Sequence, residues 1–468
     1  MNKLKDLFKA TDMTQGAPWK QIILFTLPML IGNIAQQLYN TVDSIVVGRY
    51  VGDNALAAVG SAGPIVNLLL VLFIGVATGA GIVVAQYFGA RDRERLALAI
   101  GNSIVASGVA SAIVMLIGPF VTGPLLHILN TPDSIFEWCR SYLNIMIFGM
   151  AGMVYYNILS GILRGLGDSF SALLYLLVAT ILNIVLDVLF VAQFHMGVAG
   201  VALATVIAQG ISAVLCLRKL FRMTDLFELK GKHFKPDKDC MGTIIRLGLP
   251  SGVTQAIFSV AMIAVQSLTN SFGEMFIAAN VIVMRVDGFA MMPNFSFGTA
   301  MTTYAGQNVG AKRYDRVVQG AKQGTGMAVG TSAAITGLIL LFGKYLMGVF
   351  TQTTELVDLS MSMMRIIALG YLAMGVTQSL SGVMRGAGDT ITPMWISIFT
   401  TIIIRIPVAY SIAYLTRSPE YPGGRQECVY YSLLCSWLLG ALLTVILYKV
   451  GHWKKKAIQQ ESDNDISR

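Results

Sequence analysis

The sequence SGILRGLGD at residues 160–168 returns as SGVMRGAGD at residues 381–389. At the same spacing, QYFGA at residues 86–90 returns as QNVGA at residues 307–311. Self-similarity at one fixed spacing indicates an internal structural repeat. The chain therefore consists of two related halves.

Composition limits the class of protein that these halves can form. Of the 468 residues, 55% are hydrophobic and only 13% are charged, whereas soluble domains carry about 25% charged residues. A soluble protein of this length would need more polar surface to cover its core. The composition excludes a soluble enzyme, a disordered scaffold and a nucleic-acid-binding domain, and it predicts a polytopic membrane protein.

Twelve apolar segments are long enough to cross the hydrocarbon core of a bilayer, which takes about 20 residues. Their predicted bounds are 21–48, 54–88, 96–126, 138–163, 168–192, 196–217, 242–270, 276–309, 315–343, 356–384, 390–415 and 428–450. The predicted fold class is therefore an all-α polytopic membrane protein with twelve transmembrane helices.

The repeat divides these helices into two lobes of six. Because six is even, both lobes begin on the same side of the membrane, and we expect parallel repeats related by a pseudo-two-fold axis along the membrane normal. The predicted domains are an N-lobe (1–217), a cytoplasmic linker (218–241), a C-lobe (242–450) and a cytoplasmic tail (451–468). Two such lobes around a cavity are typical of alternating-access transporters.

The sequence contains no motif for nucleotide hydrolysis or for a cofactor. There is no GxxxxGK[ST] phosphate loop and no HExxH or GxSxG motif, and the five cysteines show no CxxC spacing. We therefore expect neither enzymatic activity nor a cofactor, and we expect a gradient of H⁺ or Na⁺ to drive transport.

Two carboxylates stand inside apolar segments, where a charge costs about 2.5–3.5 kcal/mol or more. Asp43 lies in the outer part of the first segment and Asp187 in the outer part of the fifth. Asn183 is four residues before Asp187 and shares its helix face. The functional interpretation is an ion site; the alternative is a pair of helix ends wetted by the outer headgroups.

Arg405 is the cation predicted to lie deepest in the membrane. It could pair with an acid or line the cavity; alternatively, it could bind carbonyls that are left free by Pro407. Arg285 and Asp287 lie near the outer start of the eighth segment, where we expect them to reach toward the headgroups. The two Arg-Gly-x-Gly-Asp sequences are interpreted as positively charged cytoplasmic turns.

Taken in order, these features resemble the multidrug and toxic compound extrusion (MATE) family, in its DinF-like and MepA-like branch. The resemblance covers about residues 19–448. It implies export of drug-like, often cationic or aromatic compounds in exchange for H⁺ or Na⁺. The residues that match the N-lobe polar cluster of the DinF-like branch, where the resemblance also allows Na⁺, are Asp43, Asn183, Asp187 and Thr205.

Substrate is expected in a cavity between the lobes. The residues predicted to line it are Asn33, Gln37, Gln255, Phe258 and Arg405. The predicted function is a secondary antiporter of the cytoplasmic membrane, monomeric, in contact with lipid and small molecules and not with nucleic acid. The alternatives are a lipid-carrier flippase of the same superfamily and an exporter of an endogenous metabolite. A channel or receptor is disfavoured by the duplication.

Lysine and arginine placement predicts the orientation. With the N-terminus inside, cytoplasmic segments hold 26 of the 34 and outer loops hold five. This asymmetry places both termini and the 218–241 linker in the cytoplasm.

Thiol labelling of single-cysteine variants measures that orientation. A cysteine at Lys232, in the linker, should react with a membrane-impermeant maleimide only after the cells are opened. A cysteine at Arg140, at the predicted outer end of the 138–163 segment, should react in intact cells. Labelling of the Lys232 position from outside would reverse the topology.

Overall fold

A computed structural model of the chain describes residues 10–128 and 131–454, and in these residues all regular secondary structure is helical. The predicted tail (451–468) falls mostly outside them. In the first half, the helices are α1 (Pro18–Tyr50), α2 (Asp53–Gly89), α3 (Arg93–Ile128), α4 (Asp133–Phe148), α5 (Met150–Gly165), α6 (Ser169–Asp187) and α7 (Gly197–Phe221). A π-helical segment, Val188–Gln193, continues α6, and a short 3₁₀ helix, Gly231–Phe234, follows α7.

The second half repeats the order. Its helices are α8 (Lys238–Asn270), α9 (Glu274–Gly310), α10 (Tyr314–Gly348), α11 (Thr354–Ala368), α12 (Gly370–Gly386), α13 (Ile391–Ser397), α14 (Ile406–Leu415) and α15 (Cys428–Val450), with a π-helical segment, Ile398–Arg405, between α13 and α14.

The all-α fold with twelve spans is confirmed. Within the described ranges, ten helices are long and apolar enough to cross a membrane, and two bent pairs bring the number to twelve. The sequence predicts continuous helices over 138–163 and 356–384, but α4 and α5 bend by 52° and α11 and α12 by 45°. Each bend has a glycine in contact with a side chain of another helix, Gly149 with Val206 and Gly370 with Trp437. A Cβ there would overlap that side chain.

The chain forms two compact units. The first comprises the described residues up to Asp12 together with Leu27–Gly252, and the second comprises Met13–Thr26 and everything described from Val253 onward. These bounds differ from the predicted domains, because the first unit includes the 218–241 segment and the start of α8. The short stretch Met13–Thr26 belongs to the second unit instead of to the N-lobe.

Hydrogen bonds explain why Met13–Thr26 joins the second unit. The backbone N–H of Met13 donates to Gln307 Oε1 at 2.8 Å, and Asn308 Nδ2 donates to the Met13 carbonyl at 3.2 Å. Arg313 Nη1 donates to the Thr14 carbonyl at 2.8 Å. Gln307 belongs to the second copy of the repeated QxxGA sequence. Side chains of that sequence therefore bind the segment that leads into α1. α1 itself passes from one unit to the other next to Pro28.

In each unit, two helices cross in close contact at a glycine. In the first unit, a Cβ on Gly161 of α5 would lie 2.8 Å from the carbonyl oxygen of Ala77 in α2. In the second, a Cβ on Gly382 of α12 would overlap the carbonyl of Gly298 in α9. Membrane helices associate through close backbone packing at small residues, because lipid provides no hydrophobic driving force between them. The repeat thus preserves one packing contact twice.

The Arg-Gly-x-Gly-Asp sequences form two matching helix ends. Gly167 (φ 81°) and Gly388 (φ 93°) adopt the left-handed conformation that ends a helix. The next residue caps the following helix: Asp168 Oδ1 accepts from Ser171 N–H at 2.9 Å, and Asp389 Oδ1 accepts from Thr392 N–H at 3.3 Å.

The sequence predicts positively charged cytoplasmic turns here, but the two aspartates of these turns do not face solvent. Asp168 and Asp389 are buried, at 1% and 0% exposed. A buried carboxylate requires hydrogen-bond donors, and the N-terminus of the following helix supplies them. The sequences are therefore structural junctions.

Substitution of Gly161 by Val tests the crossing. Overpacking at a backbone contact should lower the stability of the protein by about 1–3 kcal/mol, seen as a lower unfolding midpoint of the detergent-purified protein. Gly210→Ala in α7 is the control, because a Cβ there meets nothing within 4 Å. Equal midpoints for Gly161→Val and wild type would contradict the close approach of α2 and α5.

Candidate functional site

A cavity of about 540 Å³ opens within the first unit. Its walls come from α1, α2, α4, α5, α6 and α7, and the volume is in the range of small-molecule sites. The polar and charged residues in its lining include Asn33, Gln36, Tyr39, Asn40, Asp43, Asn67, Tyr142, Asn157, Arg164, Thr205 and Gln209. The cavity is thus polar at membrane depth, which is unusual unless function requires it.

Asp187 and Asn183 lie behind this wall and are completely buried, at 0% exposed. The amide nitrogen of Asn183 is oriented toward the carboxylates, since the opposite orientation would aim its oxygen only at other acceptors. It then donates to Asp43 Oδ1 at 2.8 Å and to Asp187 Oδ2 at 3.0 Å. Asn183 Oδ1 accepts from the Thr205 N–H at 3.3 Å. The structure therefore brings together all four residues of the predicted ion site.

Local helix geometry explains this convergence. Asn183 and Asp187 are one turn apart on α6 and so share a face. Thr205 extends from α7, the helix packed beside α6, and Tyr39 and Asp43 are one turn apart on α1. Tyr39 Oη donates to Thr205 Oγ1 at 3.1 Å. Sequence analysis did not select Tyr39, although its four-residue spacing from Asp43 was visible.

The carboxyl groups of Asp43 and Asp187 lie within hydrogen-bonding range of each other. Asp187 Oδ1 is buried and receives no hydrogen bond from any described residue. Two ionised carboxylates so placed would repel each other in a medium that screens poorly. One shared proton, or one bound cation, removes that repulsion. Because Asp187 is fully buried, it is not a wetted helix end.

Metal binding by this cluster would depend on neutral oxygens. Among the residues described, no group of three or more His, Cys, Asp or Glu side chains is placed to hold a metal ion. The cluster instead offers two carboxylates, one amide and one hydroxyl, all with oxygen atoms that suit a hard cation.

A second cavity, of about 340 Å³, lies within the second unit. Gln255, Phe258 and Arg405, predicted for the substrate cavity, all line it. Asn33 lines the first cavity, whereas Gln37 is not in the lining of either of these two. Four of the five predicted substrate residues are therefore divided between a cavity in each unit. A cavity between the lobes stays a prediction.

The expectation for Asp287 is wrong. Asp287 lines the second cavity and accepts a hydrogen bond from Tyr371 Oη at 2.9 Å, so it does not reach toward the headgroups. Arg285 is exposed. Two residues along a helix turn the side chain by about 200°, so one of the pair faces inward when the other faces out. The sequence did contain a signal for this position. The spacing of the apolar residues on either side of Asp287 places it on the inward face of α9.

These features define a class: a multi-pass helical membrane transporter built from a duplicated unit, with ionisable groups in or beside a cavity in each copy. The MatE family model matches residues 28–189 and again residues 250–411, which together make up more than half of the chain. The chain belongs to the MatE family, whose members are transporters and not enzymes.

Relatives match nearly end to end. The probable multidrug resistance protein YoeA of Bacillus subtilis is 30% identical, with 94% of this chain and 95% of YoeA covered. The multidrug export protein MepA of Staphylococcus saprophyticus is 21% identical, over 85% of this chain and 87% of MepA. A solved structure of an outward-facing multidrug resistance MATE family transporter is 24% identical, with a TM-score of 0.88 over 96% of this chain and 99% of that one.

The carboxyl pair can be probed with dicyclohexylcarbodiimide, which modifies protonated carboxyl groups in apolar surroundings. Asp43 or Asp187 should be modified in the purified protein at neutral pH, and modification should fall as the pH rises. In Asp43→Asn, the fall for Asp187 should move to lower pH, because the repelling charge is gone. Peptide mass spectrometry identifies the modified residue and measures the extent of its modification. An unchanged pH profile in Asp43→Asn would show that the two groups titrate independently.

Proposed function

We propose that this protein is a secondary antiporter that exports drug-like, often cationic or aromatic compounds in exchange for a cation, by alternating access. The observation that carries the proposal is the buried cluster of Asp43, Asn183 and Asp187 against the wall of a polar cavity. The carboxyl pair that we propose binds the ion then lies beside a substrate-sized space in the same unit.

Exchange follows from the charge of the cluster. With one proton bound, the carboxyl pair carries a single negative charge, shared between Asp43 at the cavity wall and Asp187 behind it. A cationic substrate that enters the cavity favours the loss of that proton, because a second negative charge then attracts it. Return of a proton weakens substrate binding in turn. Each ligand therefore lowers the affinity for the other, which is the thermodynamic basis of antiport.

We propose H⁺ instead of Na⁺ as the coupling ion, and the orientation of the Asn183 amide supports this choice. Asn183 donates one N–H to each carboxylate, so its amide oxygen points away from the pair and toward Thr205. Proton binding leaves this arrangement intact. Sodium would require the amide to rotate so that its oxygen faces the ion, and Nδ2 would then donate to Thr205 Oγ1 at 3.4 Å, a weak hydrogen bond.

Pro28 supports a moving first helix. It lies inside α1 and lines the first cavity, and α1 crosses from the second unit to the first beside it. Proline supplies no N–H to the helix, so the carbonyl one turn earlier lacks its usual partner and the helix bends there at low cost. Asp43 lies four turns further along α1, so ion binding there can favour either the bent or the straight form of the helix.

Drug export is supported by the relatives, since YoeA and MepA are named for multidrug resistance and multidrug export. The alternatives are a lipid-carrier flippase and an exporter of an endogenous metabolite. For the location we propose the cytoplasmic membrane with both termini in the cytoplasm, from the lysine and arginine asymmetry, and for the assembly a monomer.

Neutral substitutions test the coupling site. Asp187→Asn and Asp43→Asn should each lower gradient-driven efflux of a cationic dye by about tenfold or more, a typical coupling effect, while the protein still reaches the membrane. Asp133→Asn is the matched control, an exposed aspartate in the first turn of α4. Near-normal efflux by both site variants would show that the pair does not couple transport.

The ion is identified in the same system by imposing pH and Na⁺ gradients separately on proteoliposomes. We expect a pH gradient alone to drive efflux through the wild type. If a Na⁺ gradient alone drives efflux, and this efflux is lost in Asp187→Asn, the proposed site stands but the coupling ion is Na⁺ and not H⁺.

A further inference from the structure

The segment that joins the two repeats is bound to α3 of the first unit by buried polar groups. Asn102 of α3 is 0% exposed, and its Oδ1 accepts from the Asp237 N–H at 2.7 Å. Its Nδ2 donates to the His233 carbonyl at 3.3 Å. A Cβ on Gly101 would overlap the same carbonyl, so the segment lies directly against the helix backbone. Residues 230–237 (the strap) are therefore docked on α3.

The ring of His233 completes this docking. Its side chain is 3% exposed and belongs to the 3₁₀ helix Gly231–Phe234. Nδ1 accepts from the Lys230 N–H at 3.0 Å, and Nε2 lies 3.1 Å from Glu94 Oε1. A backbone N–H can only donate, so Nδ1 carries no proton, and Nε2 carries the proton that it donates to the carboxylate. The docked strap thus requires His233 in its neutral form.

A second proton on His233 conflicts with this arrangement. Both nitrogens of an imidazolium are donors, so Nδ1–H would face the Lys230 N–H and leave it without an acceptor. Glu94 compensates the new charge only in part, because Lys232 Nζ already lies 2.5 Å from Glu94 Oε1. Histidine changes charge between about pH 5 and 8. Docking is therefore favoured while His233 is neutral and is lost as the pH falls.

The surrounding charges act in the same direction. Cations outnumber acids on residues 92–95 and 228–237, the stretches that meet here, so an added buried positive charge is unfavourable. The cations are Arg93, Arg95, Lys230, Lys232 and Lys235, and the acids are Asp92, Glu94, Glu228 and Asp237.

The strap also fixes the start of α8. Asp237 Oδ1 accepts from the Cys240 N–H at 2.8 Å and so caps this helix. Farther along α8, a Cβ on Gly248 would lie 2.6 Å from the Gly75 carbonyl oxygen of α2, within the same unit. Beyond Gly252 the helix continues into the second unit. Release of the strap therefore frees the first turn of a helix that passes from one unit to the other.

We propose that the strap regulates transport by pH: protonation of His233 releases it from α3 and slows export. The inference rests on the proposed function, in which each cycle carries protons to the cytoplasmic side, where the strap is expected. Export would then slow when that side becomes acidic, which limits further proton entry. The chemistry that the strap recognises is the proton concentration on its own side of the membrane.

Release is measured with a nitroxide label on a cysteine at the exposed position Lys235, in a protein whose five native cysteines are replaced by alanine. Electron paramagnetic resonance spectra report the mobility of the label. In otherwise unchanged protein the label should be immobile at about pH 7.5 and mobile at about pH 5.5, the range in which histidine changes charge. Asn102→Ala should be mobile at both pH values, because it removes the buried amide that binds the strap.

His233→Asn isolates the titrating group. Asparagine Oδ1 can accept from the Lys230 N–H in place of Nδ1 and does not titrate, so the label should stay immobile at both pH values. His195→Asn is the matched control, because His195 is exposed and has φ 53°, a conformation that asparagine tolerates. It should keep the pH-dependent release. Size-exclusion profiles of each variant at both pH values separate release from misfolding.

The effect on transport is measured in proteoliposomes at a constant pH difference, while both pH values are lowered together. The driving force then stays the same, and comparison with the variant cancels the titration of other groups. Efflux of a cationic dye by His233→Asn and wild type should be equal with about pH 7.5 on the side of the strap. At about pH 5.5 the variant should export faster by about fivefold or more, the lower end of typical coupling between sites.

A label that stays immobile at acidic pH in otherwise unchanged protein would overturn the proposal, as would a transition that persists in His233→Asn. Equal efflux by His233→Asn and wild type at acidic pH would overturn the regulation even where the label is released. If wild type exports no dye at either pH, the export function and its regulation are both wrong. That failure is distinct from a failure of release, which the label detects without any substrate.

Discussion

Close contact between helix backbones is the constraint on which both units depend. In the first unit α5 touches α2 at Gly161, and in the second α12 touches α9 at Gly382. Inside a bilayer, backbone groups must be satisfied within each helix, and helices then associate by fitting closely against one another. A single added methyl group at either glycine would separate the helices. Because this contact is made twice at the same spacing, the two units share one packing arrangement.

On this common scaffold the two units carry different charges. The first surrounds two carboxylates with neutral donors, Asn183 among them, and lacks a cation in contact with the pair in the described residues. The second places Asp287 and Arg405 around one cavity. Arg164 lines the first cavity as well, from the repeated junction at the end of α5. Duplication therefore preserved the packing and the helix ends, while the cavity surfaces diverged.

Much of the fold was predictable, because helices in a membrane leave strong local signals. The length of each apolar segment gave the spans, and the repeated SGxxRGxGD gave the two halves. The bends at Gly149 and Gly370 were not predictable, since a glycine within an apolar run does not show which side chain it will meet. The burial of Asp168 and Asp389 was missed for a related reason: a charged residue in a turn is usually solvated, and here the next helix supplies its donors.

By itself, the sequence determined the helical class, the duplication and the presence of ionisable residues at membrane depth, because these depend on composition and on spacing along one chain. Only the tertiary structure decided which of those residues meet. Asp43 and Asp187 are far apart in sequence, and their contact through Asn183 depends on how α1, α6 and α7 pack. Asp287 was assigned to the membrane surface and proved to share a cavity with Arg405. Contacts between distant segments depend on helix rotation and packing, for which a single sequence carries no direct signal.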